Sequence, residues 1–251
     1  MNIDSVKELL RKYTGKKYVY FTNRGNTAIK SAFNYAKSKG YNSVHIQDQG
    51  GWMTYQQFAK KASLEVFEIK TDYGLVYGEF SDAVLLINTM PAYAFLQDVS
   101  KIKTKNCLVI NDVSGCLGLN TSKWGDIIFG SFGKWKPVNL EKGGFIASNF
   151  EMDIDEYSFT NEELEILYLK LSKLPERYLH FQNISKKIKQ DLKKFEIIHP
   201  DLQGINVLIK CDGVDMEEIK VHCQLHGYEV TECPRYIRMN EKGLSIEVKR
   251  L

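Results

Sequence analysis

The chain has 251 residues, 43% hydrophobic and 26% charged, with a formal net charge of +3. This composition is ordinary for a globular protein and allows one large domain or a main domain with a smaller second one. The near balance of charge argues against a nucleic-acid or membrane partner, and no segment is long and apolar enough to span a bilayer. The N-terminus lacks the apolar core of a signal peptide. Five cysteines, an odd number without a CxxC pair, are typical of a reduced, cytoplasmic protein.

The first 150 residues alternate predicted helices and predicted strands. Apolar residues at helical spacing predict helices over 4–13, 27–39, 53–62 and 95–101. Short apolar runs predict strands over 17–21, 44–46, 64–69, 83–88, 108–111, 126–131 and 144–147. Such alternation is typical of an α/β domain with a mainly parallel sheet, in which ligands bind beyond the carboxyl ends of the strands.

The sequence changes character near Asn149. An acidic stretch over 151–156 precedes a long helical pattern over 161–195, which Pro175 interrupts. Beyond it the pattern predicts a helix over 216–225 and strands over 206–210, 229–232, 236–239 and 244–248. We therefore expect an α/β domain over residues 1–150 and a small C-terminal α+β domain over residues 151–251.

Lysines follow one predicted strand and an acid ends another. Lys134 and Lys136 come shortly after Ser131, and Asp112 ends the apolar run of residues 107–111. An acid, a lysine and a serine placed in this way are the minimum set for holding pyridoxal phosphate (PLP). The lysine condenses with the aldehyde, the acid keeps the pyridine nitrogen protonated, and the serine donates a hydrogen bond to the phosphate.

Three segments resemble the DegT/StrS-type aminotransferases, a branch of the fold-type-I PLP enzymes best known for aminating nucleotide-linked keto-sugars. Residues 24–29 are similar to the family's Ser-Gly-Thr-x-Ala-Leu helix opening, and residues 111–118 to its Glu-Asp-Ala-Ala-Gln-x-x-Gly segment. Residues 125–144 match its Gly-Asp…Ser-Phe-x-x-x-Lys…Gly-Gly segment, which is the most specific because several spacings agree together. The resemblance covers residues 15–150 well and the remainder weakly.

The resemblance implies a fold-type-I, mainly parallel sheet, PLP as the cofactor, and Lys136 as the residue that forms the Schiff base. Lys134 is the alternative lysine, and surface positions for both are the plainer interpretation. Asp112 matches the acid that pairs with the pyridine nitrogen. An aspartate after a strand is also a common turn residue.

The other cofactor contacts that the resemblance implies fall on two turns. Gly25, Asn26 and Thr27 open a helix whose N–H groups would face the phosphate, with Ser131 as a further donor; a simple helix cap is the alternative. Trp52 falls where the family has an aromatic residue that stacks on the cofactor ring, although a core tryptophan fits the pattern nearly as well. No metal site is expected, because the pair His222 and His226 lacks further ligands.

Two features depart from the family pattern. Gly115 stands where the family has a glutamine or histidine near the cofactor hydroxyl, and the family's glycine-rich loop with its asparagine and arginine is not recognisable after Gly144. In the predicted strand near the C-terminus, Arg235 and Arg238 allow two interpretations. One arginine clamps a substrate carboxylate, or both are surface charges on an edge strand.

The resemblance predicts an aminotransferase. It would move an amino group from an amino-acid donor, glutamate by analogy, to a keto or aldehyde acceptor, sugars included. It also implies a homodimer that acts on small molecules. Other PLP chemistry stays open. The alternative from another class is a non-catalytic PLP-fold protein acting as a regulator or partner subunit, which the short chain and Gly115 favour.

Overall fold

A computed structural model describes residues 3–251. The α-helices in this range are α1 (Ile3–Thr14), α2 (Gly25–Ser38), α3 (Tyr55–Lys61), α4 (Asn161–Ser172), α5 (Leu174–Asp191) and α6 (Gly213–Leu225). The strands are β1 (Tyr18–Thr22), β2 (Ser43–Gln47), β3 (Glu65–Ile69), β4 (Gly78–Ser81), β5 (Val84–Asn88), β6 (Ile102–Lys105), β7 (Leu108–Asp112), β8 (Ile127–Ser131), β9 (Gly144–Ser148), β10 (Glu196–Ile197), β11 (Val207–Lys210), β12 (Val230–Cys233) and β13 (Gly243–Ile246). Within the described range, no helix is both long and apolar enough to cross a bilayer.

A seven-stranded sheet in the order β3-β2-β5-β7-β8-β9-β1 forms the centre of the molecule. Strands β3, β2, β5, β7 and β8 run parallel, and β9 runs antiparallel to both β8 and β1. The smaller C-terminal sheet is antiparallel, in the order β10-β11-β13-β12. The predicted fold class, a mainly parallel α/β sheet with a small C-terminal α+β part, is confirmed.

Helices cover both faces of the large sheet, which explains its strongly apolar strands. On β8, Ile127 and Phe129 pack with Ile29 of α2 in one cluster of buried side chains. The intervening Ile128 belongs to a second cluster on the other face, together with Leu10 of α1. This alternation is the period-two pattern of a strand that is buried on both sides.

The strand register brings polar residues to one edge of the sheet. Asn88 at the end of β5 lies opposite Asp112 at the end of β7. Ser131 at the end of β8 lies opposite Gly144, where β9 begins, and Thr22 at the end of β1 lies opposite the same glycine. We call this edge the carboxyl rim; it is where ligands bind in parallel α/β sheets.

The C-terminal sheet is attached at the carboxyl rim. The N–H groups of Ile205 and Asn206 both donate to the carbonyl oxygen of Tyr93, at 2.8 and 2.9 Å, and the Leu96 N–H donates to the carbonyl of Gln203 at 2.7 Å. One buried cluster contains apolar residues from both parts of the chain. The boundary between residues 150 and 151 stays a prediction.

The predicted helix over residues 95–101 is wrong. The chain there forms only a short 3₁₀ turn over Val99–Lys101, and a second such turn over Pro91–Tyr93 precedes it. The buried Gln97 side chain explains the difference, because it accepts from the Val76 N–H at 2.7 Å and donates to the Val76 carbonyl at 2.9 Å. These bonds hold residues 94–98 as an irregular segment beside Val76.

Further differences from the predicted elements concern the C-terminal part. The predicted strand over 236–239 is wrong, since Arg235 and Arg238 lie in a tight turn in which the Arg238 N–H donates to the Arg235 carbonyl at 2.7 Å. The long helical pattern divides at Lys173, and Pro175 lies in the first turn of α5, where its missing N–H costs no helical bond. The short strands β4, β6 and β10 lack an alternating apolar pattern and were not predicted.

Replacement of Gly204 by alanine tests the attachment of the C-terminal sheet. A Cβ atom there would lie 1.9 Å from the carbonyl oxygen of Ala94, which is backbone and has little room to move. We expect Gly204→Ala to lower the free energy of unfolding by about 3 kcal/mol in urea denaturation. Gly40→Ala is the control, because its Cβ would meet nothing within 4 Å and only its φ of +88° is strained. An equal loss in both variants would contradict this prediction.

Candidate functional site

A cavity of about 630 Å³ opens at the carboxyl rim, between the ends of the parallel strands and the C-terminal segment. Six of the seven residues predicted as cofactor contacts line it: Gly25, Asn26, Trp52, Asp112, Ser131 and Lys136. Thr27 does not line it, and its hydroxyl instead donates to the Asn23 side chain. The roles of these residues stay predictions, but the six residues line the same cavity.

Lys136 lies half-buried in the loop that follows β8. Its Nζ donates to the Tyr93 hydroxyl at 2.5 Å and lies 4.8 Å from the centre of the Trp52 ring. The loop turns at Trp135, whose φ of 62° is left-handed. Lys134, the alternative lysine, also lines the cavity but is exposed, with its Nζ 4.9 Å from the Trp135 ring centre.

Asp112 is 5% exposed and has a donor at each carboxylate oxygen. The Ser114 N–H donates to Oδ1 at 2.8 Å, and the hydroxyl of Tyr55 donates to Oδ2. Burial and the adjacent carboxylate hold the pKa of Tyr55 well above its ordinary value, so its hydroxyl remains a donor. A carboxylate held in this way is fixed in orientation at the edge of the cavity.

Glycines bring the start of α2 close to the end of β8. A Cβ at Gly25 would lie 2.8 Å from the Ser131 Cβ, and a Cβ at Gly144 would lie 2.7 Å from the Gly130 carbonyl oxygen and 3.1 Å from the Gly25 nitrogen. The Ser131 Oγ accepts from the Gly133 N–H at 3.1 Å, which leaves its hydroxyl proton for another acceptor. The N–H groups at the helix start and this hydroxyl form a seat for an anion.

Trp52 lies at the mouth of the cavity and is 36% exposed. Its Nε1 donates to the Asn26 Oδ1 at 2.9 Å, and the Thr54 hydroxyl donates to the same oxygen at 3.1 Å. These bonds hold the indole beside Lys136 and bind the Asn26 side chain, so Asn26 contributes mainly its backbone to the anion seat. The tryptophan is a cavity residue and not part of the core.

The C-terminal segment supplies a wall of cations around one buried carboxylate, Glu247. Arg238, 3% exposed, binds it through Nε and Nη2 at 2.6 and 2.7 Å, and Lys249 Nζ lies 3.0 Å from its Oε2. Burial would raise the pKa of Glu247, but its bonds to Arg238 and Lys249 hold it far below the ordinary value. Burial lowers the pKa of Lys249 to about 8 against the opposing charge of Glu247.

Arg238 therefore matches neither interpretation of the sequence. It is buried and not a surface charge, and its guanidinium is already bound to Glu247. Arg235 is exposed and lines the cavity. Arg250 lies with its guanidinium carbon 4.6 Å from the Trp135 ring centre and pairs with Glu229 at 2.6 Å. Cations outnumber carboxylates along the wall, which favours an anionic occupant.

Four residues of the site were not apparent from the sequence: Tyr55, Tyr93, Glu247 and Lys249. Tyr93 lay next to a wrongly predicted helix, and Tyr55 had the signature of an ordinary helix start. For Glu247 and Lys249 no periodic pattern was available, because both lie beyond β13, which ends at Ile246. Among residues 3–251, no group of three or more His, Cys, Asp or Glu side chains could hold a metal ion.

Comparison with known proteins identifies the fold. A family model, the MJ1341 family C-terminal domain, matches residues 175–251. No curated protein sequence matches the chain. Similar solved structures include serine palmitoyltransferase from S. paucimobilis with a bound PLP–myriocin aldimine, at 12% identity and a TM-score of 0.66, covering 97% of this chain and 70% of that one.

Two further solved structures have a similar fold. Ureidoglycine–glyoxylate aminotransferase from Bacillus subtilis shares 12% identity with a TM-score of 0.66, covering 97% of this chain and 78% of that one. A NifS-like protein from Rickettsia africae shares 15% identity with a TM-score of 0.66, covering 97% and 81%. At these identities the likeness concerns the fold: this chain has the fold of the fold-type-I PLP-dependent transferases.

The residues of the cavity fit PLP. The anion seat at Gly25 and Ser131 suits its phosphate, the fixed carboxylate of Asp112 suits a protonated pyridine nitrogen, and the amine of Lys136 suits its aldehyde. The exposed indole of Trp52 offers an apolar surface for an aromatic ring.

The buried Lys249 makes stability depend on pH. Its folded pKa of about 8 lies below the ordinary 10.5, so between these values the unfolded chain binds more protons and stability rises with pH. From pH 7.5 to 10.5 we expect the unfolding free energy of the parent to rise relative to that of Lys249→Met, by up to about 3 kcal/mol. Urea denaturation at several pH values measures it, with Lys242→Met, at an exposed lysine, as control. A pH-independent difference would contradict the prediction.

Proposed function

We propose that this chain binds PLP in the cavity at the carboxyl rim and is an aminotransferase of the DegT/StrS type. It moves an amino group from an amino-acid donor, glutamate by resemblance, to a keto or aldehyde acceptor, sugars included. One observation carries the proposal: the Lys136 amine and the Asp112 carboxylate line the same cavity, together with the anion seat. Bound PLP supplies an aldehyde and an aromatic ring that takes up electrons.

Lys136 has two tasks in this proposal. Its amine is the nucleophile that attaches the cofactor, and once released it holds and moves a proton at the substrate carbon that bears the amino group. The hydrogen bond to Tyr93 and the nearby Trp52 ring restrict the Nζ atom to one region of the cavity. Restriction of this kind favours reaction over free motion of a long side chain.

Asp112 serves as a fixed anion. The Ser114 N–H and the Tyr55 hydroxyl hold its two oxygens, so the carboxylate accepts a hydrogen bond from a protonated ring nitrogen without reorientation. The N–H groups at the start of α2 and the Ser131 hydroxyl bind the phosphate at the opposite end. The cationic wall draws anionic substrates to the cavity and sets their orientation.

Labelling of Lys136 tests cofactor binding. We expect purified protein mixed with PLP and then reduced with borohydride to carry the cofactor on Lys136, as identified by fragmentation of the labelled peptide in mass spectrometry. Lys136→Ala abolishes the label because the attacking amine is gone. An absorption spectrum recorded before reduction shows a new band in the parent and none in Lys136→Ala.

Lys134→Ala is the matched control for this labelling, because it removes the neighbouring amine that lies exposed on the same loop. We expect it to keep both the label and the absorption band. A label on Lys134, or one spread over surface lysines, would overturn the assignment of Lys136. Absence of any label in the parent would overturn the proposed function itself.

Isotope exchange tests the chemistry. We expect the PLP-loaded parent to exchange the α-proton of glutamate in D₂O, as followed by NMR. In Asp112→Asn the exchange falls at least about 100-fold, because an amide cannot stabilise a charged ring nitrogen in the same way. The Lys136 label should persist in Asp112→Asn; its loss would indicate a damaged site and contradict the assigned role.

The non-catalytic alternative keeps one supporting observation. Glu247 binds Nε and Nη2 of Arg238, and Nη1 donates to the Ile237 carbonyl at 2.8 Å, so this arginine is not free to clamp a substrate carboxylate. A Lys136 label without proton exchange for any amino acid would support a regulator or partner subunit. Cytoplasmic location, a homodimer and small-molecule partners remain expectations from the sequence and belong to this proposal.

A further inference from the structure

Tyr93 lines the cavity in a constrained conformation. It is 9% exposed, and its hydroxyl accepts the hydrogen bond from Lys136 Nζ at 2.5 Å. Its backbone is left-handed, with a φ of 63°, and follows Ala92 with a φ of 55°. Two consecutive non-glycine residues in this region are costly, and such strain concentrates at functional sites.

The position of the Tyr93 ring depends on the absence of a side chain at Gly115. A Cβ at Gly115 would lie 3.0 Å from Tyr93 Cδ1 and 3.2 Å from Met90 Cβ. The Gly115 carbonyl accepts from the Tyr178 hydroxyl at 3.0 Å, which fixes the backbone beneath the ring. The space that a side chain at position 115 would fill is therefore occupied by a tyrosine from another strand end.

Charged groups surround the Tyr93 ring. Lys136, Lys249 and Arg238 lie 5.0, 4.9 and 5.6 Å from its centre, from three different segments of the chain. Glu247 binds the last two of these cations, and Tyr55 and Tyr178 are the other titratable groups that face Tyr93. These cation–π contacts hold the ring of Tyr93 in place from separate segments of the chain.

We propose that Tyr93 is a second catalytic residue of this cavity and the proton partner of Lys136. Its hydroxyl orients the amine and relays the proton that the amine must lose when it attacks a carbonyl carbon. The Tyr93 oxygen accepts a proton from Nζ while the phenol gives its own proton to the oxygen of the attacked carbonyl, whose double bond becomes a C–O–H single bond as the N–C bond forms. The count of protons on Tyr93 is unchanged, and no further reactant is needed. This inference rests on the proposed role of Lys136 as a nucleophile.

Tyr93→Phe tests the relay, since it keeps the ring and its packing and removes only the hydroxyl. We expect the rate at which PLP labels Lys136 at pH 8 to fall about 100-fold. A second measurement needs no cofactor: acetylation of Lys136 by acetic anhydride, relative to Lys134 in the same peptide, should fall about fivefold. Tyr13→Phe is the matched control, because its partly buried hydroxyl donates to the Leu171 carbonyl at 2.9 Å and the residue does not line the cavity.

A second variant acts on the same hydrogen bond without changing Tyr93. Gly115→Ala places a methyl group 3.0 Å from Tyr93 Cδ1, so the ring must move to make room and its hydrogen bond to Lys136 is disturbed. We expect it to slow both reactions in the same direction as Tyr93→Phe. Melting curves and circular dichroism of each variant establish that the protein is folded.

The two measurements separate the outcomes. Slower labelling and slower acetylation in Tyr93→Phe, with the rates of Tyr13→Phe unchanged, support the relay. Unchanged rates in Tyr93→Phe overturn it while the proposed cofactor function stands. If PLP labels nothing in the parent but acetylation still falls in Tyr93→Phe, the proposed function fails and the pairing of Tyr93 with Lys136 stands. If acetylation is also unchanged, both fail.

Discussion

The two hydrogen bonds to the Tyr93 carbonyl hold the C-terminal sheet at the carboxyl rim. They come from Ile205 and Asn206, which lead directly into β11. Through β11 and β13 this attachment fixes Glu247 and the cations that it binds, so the wall of the cavity is positioned by the same residue whose hydroxyl contacts Lys136. The geometry of the site therefore depends on one left-handed residue that meets both parts of the molecule.

The carboxyl rim is the part of the site that sequence patterns predict. Asp112 and Ser131 end runs of buried apolar residues, and Gly25 opens a helix directly after a strand, so each falls at the end of a strand or the start of a helix. In a parallel sheet such positions share one edge, which is why Asp112, Ser131 and the turn over residues 22–26 could be expected at one rim without knowledge of strand order. Trp52 and Lys136 were expected at the site from the family resemblance. The fold class followed from the same alternation.

Contacts made by residues distant in sequence were beyond the reach of these patterns. The bond between Tyr55 and Asp112 joins residues 57 positions apart. Tyr93 depends on a left-handed backbone that no local propensity favours for tyrosine. The Gln97 side chain overrides a helical spacing by binding the backbone of Val76. In each case contacts between residues distant in sequence determine the local structure, and the spacing of apolar residues does not predict such contacts.

The burial of Lys249 has a consequence for ligand binding. With a pKa of about 8, this amine is partly without its proton in mildly alkaline solution. A negatively charged molecule in the cavity favours the protonated amine, so its binding draws a proton from the solvent. The affinity for anions then falls as the pH rises above 8, and the heats of binding measured in two buffers differ in proportion to the difference between the ionisation enthalpies of the buffers.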